Sequence, residues 1–171
     1  MEYRVLVPID DDVKRATAQA RTVIGLPHSS EAVVATVFHT FPDDVTGDLA
    51  AIDEIAAGRR VVEELETNGV TVERMIGRGE PAEAILAASD EIGADQIIIG
   101  GRKRSPLGSM LFGSITQAVI LDATIPVTVT GNTAPMKPTH ICESCGKRYY
   151  SAKHGGITTC QACGGTKVHA V

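Results

Sequence analysis

The sequence predicts an α/β chain: a five-stranded parallel sheet, doubly wound with helices on both faces, followed by a small cysteine-bearing module. Three observations predict it. From residue 3 to 130, short β-branched runs alternate with longer stretches of helical period. The strand-like runs are apolar throughout, as strands covered on both faces are. All four cysteines, Cys142, Cys145, Cys160 and Cys163, fall beyond that pattern.

YRVLVPID reads as the first strand, ending at Pro8-Ile9-Asp10. Residues 11–25 carry a helical stripe at Val13, Ala16, Ala20, Val23 and Ile24, stopped by Gly25 and Pro27. EAVVATVFHTF is the second strand. Residues 48–67 read as a helix with Leu49, Ile52, Ile55, Val62 and Leu65 inside; Gly58 weakens it locally, and Asn68-Gly69 close it. VTVERMI is the third strand. After the loop GRGEP, Pro81 suits a helix first turn and AEAILAASDEIG follows as the third helix. ADQIIIGG is the fourth strand, residues 113–123 the fourth helix and IPVTVTG the fifth strand. The division is residues 1–131 as the α/β domain, 132–138 as linker (within GNTAPMKP) and 139–171 as the cysteine module.

Bulk composition narrows the classes. Hydrophobic residues make up 43% and aromatics 4%, so the core is built from Val, Ile, Leu and Ala. No apolar run is long enough to span a bilayer and no signal peptide is evident, so a cytoplasmic protein is expected. Residues 1–134 carry 11 Lys and Arg against 20 Asp and Glu, a net of −9; residues 135–171 carry five against one, a net of +4. An acidic body is a poor general nucleic-acid binder.

The stretch 97–116, IIIGGRKRSPLGSMLFGSIT, holds the parts of an anion site. A buried strand runs into Gly100-Gly101, basic residues follow, and Gly113-Ser114 open a helix. Glycines let backbone approach a ligand, and a helix start offers unpaired N–H groups. In a parallel sheet the ligand sits beyond the carboxyl ends of strands, where strand order reverses. The segments after strands one and four, and the end of strand two at His39-Thr40, share that edge. Asp10, Asp11 and Asp12 form an acidic run that can either hold Mg²⁺ or complement a helix N-terminus. His39, on an apolar strand, reads as a satisfied core or edge histidine.

These features together, the PID strand end, GRGEPAEAIL, the glycine loop and above all FGSITQAVILDATIPVTV, resemble the universal stress protein family over residues 3–130. ATP-binding members carry G-x2-G-x9-G-S/T. Gly100, Gly113 and Ser114 match it, while Lys103 stands where the second glycine should be. The resemblance implies an adenine nucleotide, ATP or AMP, with Mg²⁺ as its companion. Pro8 and Ile9 would line the adenine, Asp10 would face the ribose or a metal-phosphate group, and Thr40 would hold the adenine-contacting backbone position. Gly113, Ser114 and the amides of Ile115 and Thr116 would hold the phosphates, with Lys103 either blocking the loop or supplying a cation. It also implies a homodimer joined along residues 125–130, an apolar edge that is otherwise an aggregation hazard. No Ser-His-Asp set, lysine-bearing P-loop or paired carboxylates are evident, so the expectation is a regulator with at most slow ATP hydrolysis. The rival reading is a nucleotide-free dimeric adaptor.

The tail repeats C-x2-C-G, with 14 residues between Cys145 and Cys160. Two residues between thiolates let both reach one ion, and Gly146 and Gly164 let the backbone curl so that amides face the sulfurs. Four sulfurs suit a closed tetrahedral Zn²⁺ site, and the segment resembles a zinc ribbon over residues 139–169. A rubredoxin-type iron centre is the alternative metal. His140, His154 and His169 are spare. Between the knuckles, Tyr149 or Tyr150 reads as packing for a very small core, in a module expected to dock a protein or RNA partner.

Overall fold

The computed structural model describes residues 2–42, 51–101, 112–131, 140–149 and 158–170. The chain divides into two compact units, taken in turn.

The first unit is built on five strands: β1 (Tyr3–Pro8), β2 (Val33–Phe41), β3 (Thr71–Arg78), β4 (Gln96–Gly100) and β5 (Val127–Thr130). All pair in parallel, in the order β3-β2-β1-β4-β5. Its helices are α1 (Val13–Ile24), α2 (Ser29–Ala32), α3 (Ala56–Thr67), α4 (Pro81–Glu91) and α5 (Ser114–Asp122). The doubly wound sheet is therefore as the sequence reads.

The period of two along β1 explains the double covering. Val5 and Val7 face α1 and α3, joining Ala16, Ala20, Val23, Val61 and Leu65 in one core. Leu6 faces the other way and packs with Phe38, Ile85 and Val119, the layer of α4 and α5. Both layers hold side chains with no exposure, and each fully buried Val or Leu contributes about 1.5–3 kcal/mol by leaving water.

Several local readings are corrected. Val13 is 39% exposed, because Asp12 caps α1 and places Val13 at the solvent-facing start of the first turn. The chain folds one further turn of helix, α2, before β2, so Glu31 and Ala32 are helical rather than extended. The helix read over residues 48–67 also starts late: residues 52–54 form a 3₁₀ turn and α3 begins at Ala56. Leu49 lies outside the described residues. β3 is an edge strand: Val72 and Met75 pack into opposite layers while Glu73, Arg74 and Ile76 are exposed, so each face is covered only in part.

Gly58 acquires a reason. A Cβ there would overlap the backbone carbonyl of Ile52 and press its side chain. The missing side chain lets the 3₁₀ turn lie against α3, burying Ile52.

The second unit is a three-stranded antiparallel sheet in the order β7-β6-β8, from β6 (His140–Cys142), β7 (Arg148–Tyr149) and β8 (Val168–Ala170). His140 stands opposite both Tyr149 and Ala170, and Cys142 opposite Val168. Residues 132–138, read as linker, lie outside the described residues.

Gly58→Ala is expected to destabilise the protein. Helix propensity would gain about 1 kcal/mol, but the overlap with Ile52 costs about 1–3 kcal/mol as overpacking does. Urea unfolding checks the sign; a higher midpoint than wild type would contradict the packing described.

Candidate functional site

β1 and β4 run side by side only at Val5–Gln96 and Leu6–Ile97. Beyond that the connections lead to opposite faces, and a crevice opens at the carboxyl ends, as sheets of this order require. The side chain of Gln19, on α1, fills the parting. Its Nε2 donates to Pro8 O at 2.6 Å and to Ile98 O at 2.9 Å, one carbonyl from each strand. Gln19 is 1% exposed.

A cavity of about 180 Å³ opens above this point. The end of β1 contributes Pro8, Ile9 and Asp10; β2 contributes Phe38, His39 and Thr40. Ile99 and Gly100 come from β4, Pro81 and Ile85 from α4, and Gly113, Ser114, Ile115 and Thr116 from the start of α5. Arg15 and Gln19 complete the lining from α1. Nine residues named from the sequence thus line one cavity, and Lys103 lies outside the described residues.

The start of α5 has the character of an anion site. Gly113 caps it with extended backbone and no side-chain hydrogen bond. The Thr116 hydroxyl donates to Gly100 O at 3.3 Å, tying this helix start to the end of β4. Gly100 is glycine for a second reason: a Cβ would come within 3.2 Å of Gln19 Oε1 and 3.4 Å of the Arg15 stem.

The acidic run divides its labour. Asp12 caps α1, accepting from the Lys14 amide at 2.9 Å and the Arg15 amide at 3.2 Å. Asp10 accepts from the Asp12 amide at 3.0 Å and pairs with Arg15. His39 Nδ1 donates to Ile9 O at 3.0 Å, and its ring stands edge-on to Phe41. It is satisfied at the sheet edge, as read from the sequence.

Arg15 and Gln19 escaped the sequence reading. The available signal was Gln19 itself, a carboxamide on the apolar stripe between Ala16 and Val23. Arg15 lies one turn earlier on the same face.

In the second unit, the four sulfurs lie within 4.8 Å of one another. Cys142 and Cys163 Sγ are 3.8 Å apart, and Cys145 and Cys160 Sγ 3.6 Å. Sulfurs held tetrahedrally about 2.3 Å from one ion stand about 3.8 Å apart, so the donor set fits a single metal. The two knuckles are alike. Gly146 and Gly164 take φ of 71° and 70°, and their amides donate back to Cys142 O and Cys160 O, both at 2.8 Å. Left-handed backbone there requires glycine. His169 sits 3.5 Å from Glu143, outside the sulfur cluster.

Tyr149 does more than pack. Its hydroxyl donates to Cys160 Sγ at 3.0 Å and accepts from the Gln161 amide at 2.9 Å. That hydroxyl, with the Cys163 and Ala162 amides, brings the Cys160 thiol down to about 6. The Gly165 amide pulls Cys163 down too, but the sulfurs of Cys145 and Cys160 outweigh it and push that thiol up to about 12. Crowded thiols resist a second charge until a cation neutralises them.

The Universal stress protein family model matches residues 1–131. The universal stress protein in QAH/OAS sulfhydrylase 3'region of Thermus aquaticus is 32% identical over 125 residues, 68% of this chain and 88% of that protein. The stress response protein NhaX of Bacillus subtilis (strain 168) is 27% identical over 119 residues, 69% of each chain. Among solved structures, the universal stress protein from Archaeoglobus fulgidus in complex with dAMP is similar at a TM-score of 0.58 and 25% identity, over 75% of this chain and 98% of that one. Among the described residues, no helix is long and apolar enough to cross a membrane.

A divalent ion on the four sulfurs must expel the Cys163 proton at neutral pH, so its affinity should fall as pH falls. The expected slope is more than tenfold per pH unit, since the ion displaces more than one thiol proton, and it steepens below about 6 where Cys160 also takes up a proton. Competition with a chromophoric chelator across pH 5–8 measures it; a flat profile would contradict the thiolate assignment.

Proposed function

The chain belongs to the universal stress protein family, and we propose that it is a regulatory stress-response protein that binds an adenine nucleotide at the β1/β4 crevice and carries a structural Zn²⁺ module. The observation that carries the reading is the single cavity shared by the β1 end, Thr40, Gly100 and the open start of α5. The dAMP complex of the Archaeoglobus relative supports the ligand class.

In this reading Pro8, Ile9 and Thr40 border the adenine, and Asp10 stands on the ribose side. The Ser114, Ile115 and Thr116 amides, with the Ser114 hydroxyl, receive phosphate oxygens. Aligned amides concentrate about half a positive charge at a helix start, which favours an anion there. Gly113 keeps the approach open. Calorimetry with AMP and ATP tests the reading. Ser114→Ala should weaken binding by about 0.5–1.5 kcal/mol, the worth of one hydrogen bond. No binding of either nucleotide at millimolar concentration would reject it in favour of a nucleotide-free adaptor.

The four-sulfur cluster is assigned to one Zn²⁺ per chain, closed by Cys142, Cys145, Cys160 and Cys163 and serving to hold a docking module for a protein or RNA partner. Zinc chemistry there is structural: four protein ligands leave no position for substrate. Elemental analysis should find one zinc per chain, and Cys160→Ser should release it and unfold the module while the α/β unit keeps its transition. Iron in place of zinc would overturn the assignment.

A homodimer joined along residues 125–130 completes the proposal. β5 ends the sheet, and the neighbouring α5 leaves Ile115 at 38%, Ile120 at 38% and Leu121 at 73% exposure. An open strand edge beside exposed apolar side chains favours association. Light scattering should give twice the chain mass, and Val129→Lys should shift it to monomer or aggregate. A monodisperse wild-type monomer would refute the dimer.

A further inference from the structure

Arg15 occupies the position where a divalent ion would otherwise meet Asp10. Its Nη2 pairs with Asp10 Oδ2, and its Nε reaches Oδ1 at 3.3 Å. Its Nη1 lies 3.7 Å from Asp12 Oδ2. With the Asp12 amide also bonded to Oδ1, the Asp10 carboxylate is already engaged on both oxygens and its charge is matched by the guanidinium. An Mg²⁺ ion placed there would sit beside a fixed cation and have to displace it.

The same guanidinium faces the cavity. Arg15 lines it, its stem lies against Gly100, and its side chain is 30% exposed. Below it, Gln19 presents a second polar group. Both amide hydrogens of Gln19 are committed to Pro8 O and Ile98 O, so Oε1 points away from them toward Gly100. The cavity wall therefore carries a guanidinium with donors beyond those that Asp10 takes.

Resting on the nucleotide reading above, we propose that Arg15 is the phosphate-binding cation of this pocket, and that the ligand is a metal-free nucleoside monophosphate. A phosphate monoester carries about −1.5 to −2 at neutral pH. The guanidinium and about half a charge at the helix start face it, and with the Asp10 charge set against them the pocket suits the smaller charge of a monophosphate. A triphosphate carries roughly twice that charge and ordinarily brings Mg²⁺, for which the engaged Asp10 offers little. Among the described residues, Arg15 is the one permanently cationic side chain lining the cavity. On binding, its Nε–Nη2 edge stays on Asp10 while the outer edge of the guanidinium turns to the phosphate oxygens, so the carboxylate is not freed for a metal ion.

The test is calorimetry on the full chain with adenosine, AMP and ATP, each in excess MgCl₂ and in EDTA. AMP should bind equally in both buffers and more tightly than adenosine. Arg15→Ala should lower AMP affinity by about tenfold or more, the loss expected of a charge-assisted bidentate contact, and leave adenosine affinity within about threefold. Arg15→Lys, which keeps charge but not the fork, should fall between them. Thermal unfolding of each variant separates lost binding from lost fold. Loss of AMP binding in EDTA, or Arg15→Ala binding AMP as wild type does, overturns the inference while leaving the nucleotide reading intact. Failure of adenosine, AMP and ATP alike removes both.

Discussion

The parting of β1 and β4 is the constraint on which the α/β unit's chemistry depends. Two strands whose connections leave in opposite directions cannot stay paired to their ends, and separation exposes carbonyls that a buried site must satisfy. Gln19 meets that need from α1 by donating both amide hydrogens, one to each strand. Once that carboxamide is fixed, much else follows. A side chain at Gly100 would crowd Gln19 and Arg15, the Arg15 stem is set over the end of β4, and a cavity remains between the strand ends and α5. The sheet thus makes the opening, and one buried glutamine keeps it from collapsing.

The cysteine unit rests on a different economy. It has very little apolar core; among its described residues, only Cys142 and Cys160 are buried. So small a module lacks the burial to fold by itself, and the ion proposed for its four sulfurs would supply the missing cross-links. Two glycine-turned knuckles bring the sulfurs to metal-ligand separations, and Tyr149 fastens one sulfur to the backbone beyond it. The charge carried by that sulfur is distributed among hydroxyl and amide donors, which favours the thiolate form a metal needs.

What was legible in the sequence is what depends on local pattern. Continuous runs such as IIIGG and helical stripes such as that of residues 82–91 mark elements because burial on both faces or on one face dictates them. C-x2-C-G is legible because both its geometry and its chemistry close within five residues. Less legible were features set by tertiary contact. Gly58 reads as a weak point in a helix, yet it is the contact that seats the turn at Ile52. VTVERMI reads as one strand among five, but nothing local tells that it lies at the edge. Arg15 and Gln19 were missed because a helical stripe is recognised by its apolar members, and these two are the polar exceptions at the end that meets the sheet's crevice. Family resemblance points to the glycine loop; only the fold brings α1 into the same site.

The most direct measurement is a crystal structure of the full chain grown with AMP and without magnesium. The phosphate is expected between the α5 amides at Ser114–Thr116 and the outer edge of the Arg15 guanidinium, with the adenine toward Thr40 and Asp10 still held by Arg15. A nucleotide seated elsewhere, or one held in this cavity with no Arg15 contact to its phosphate, would contradict that placement.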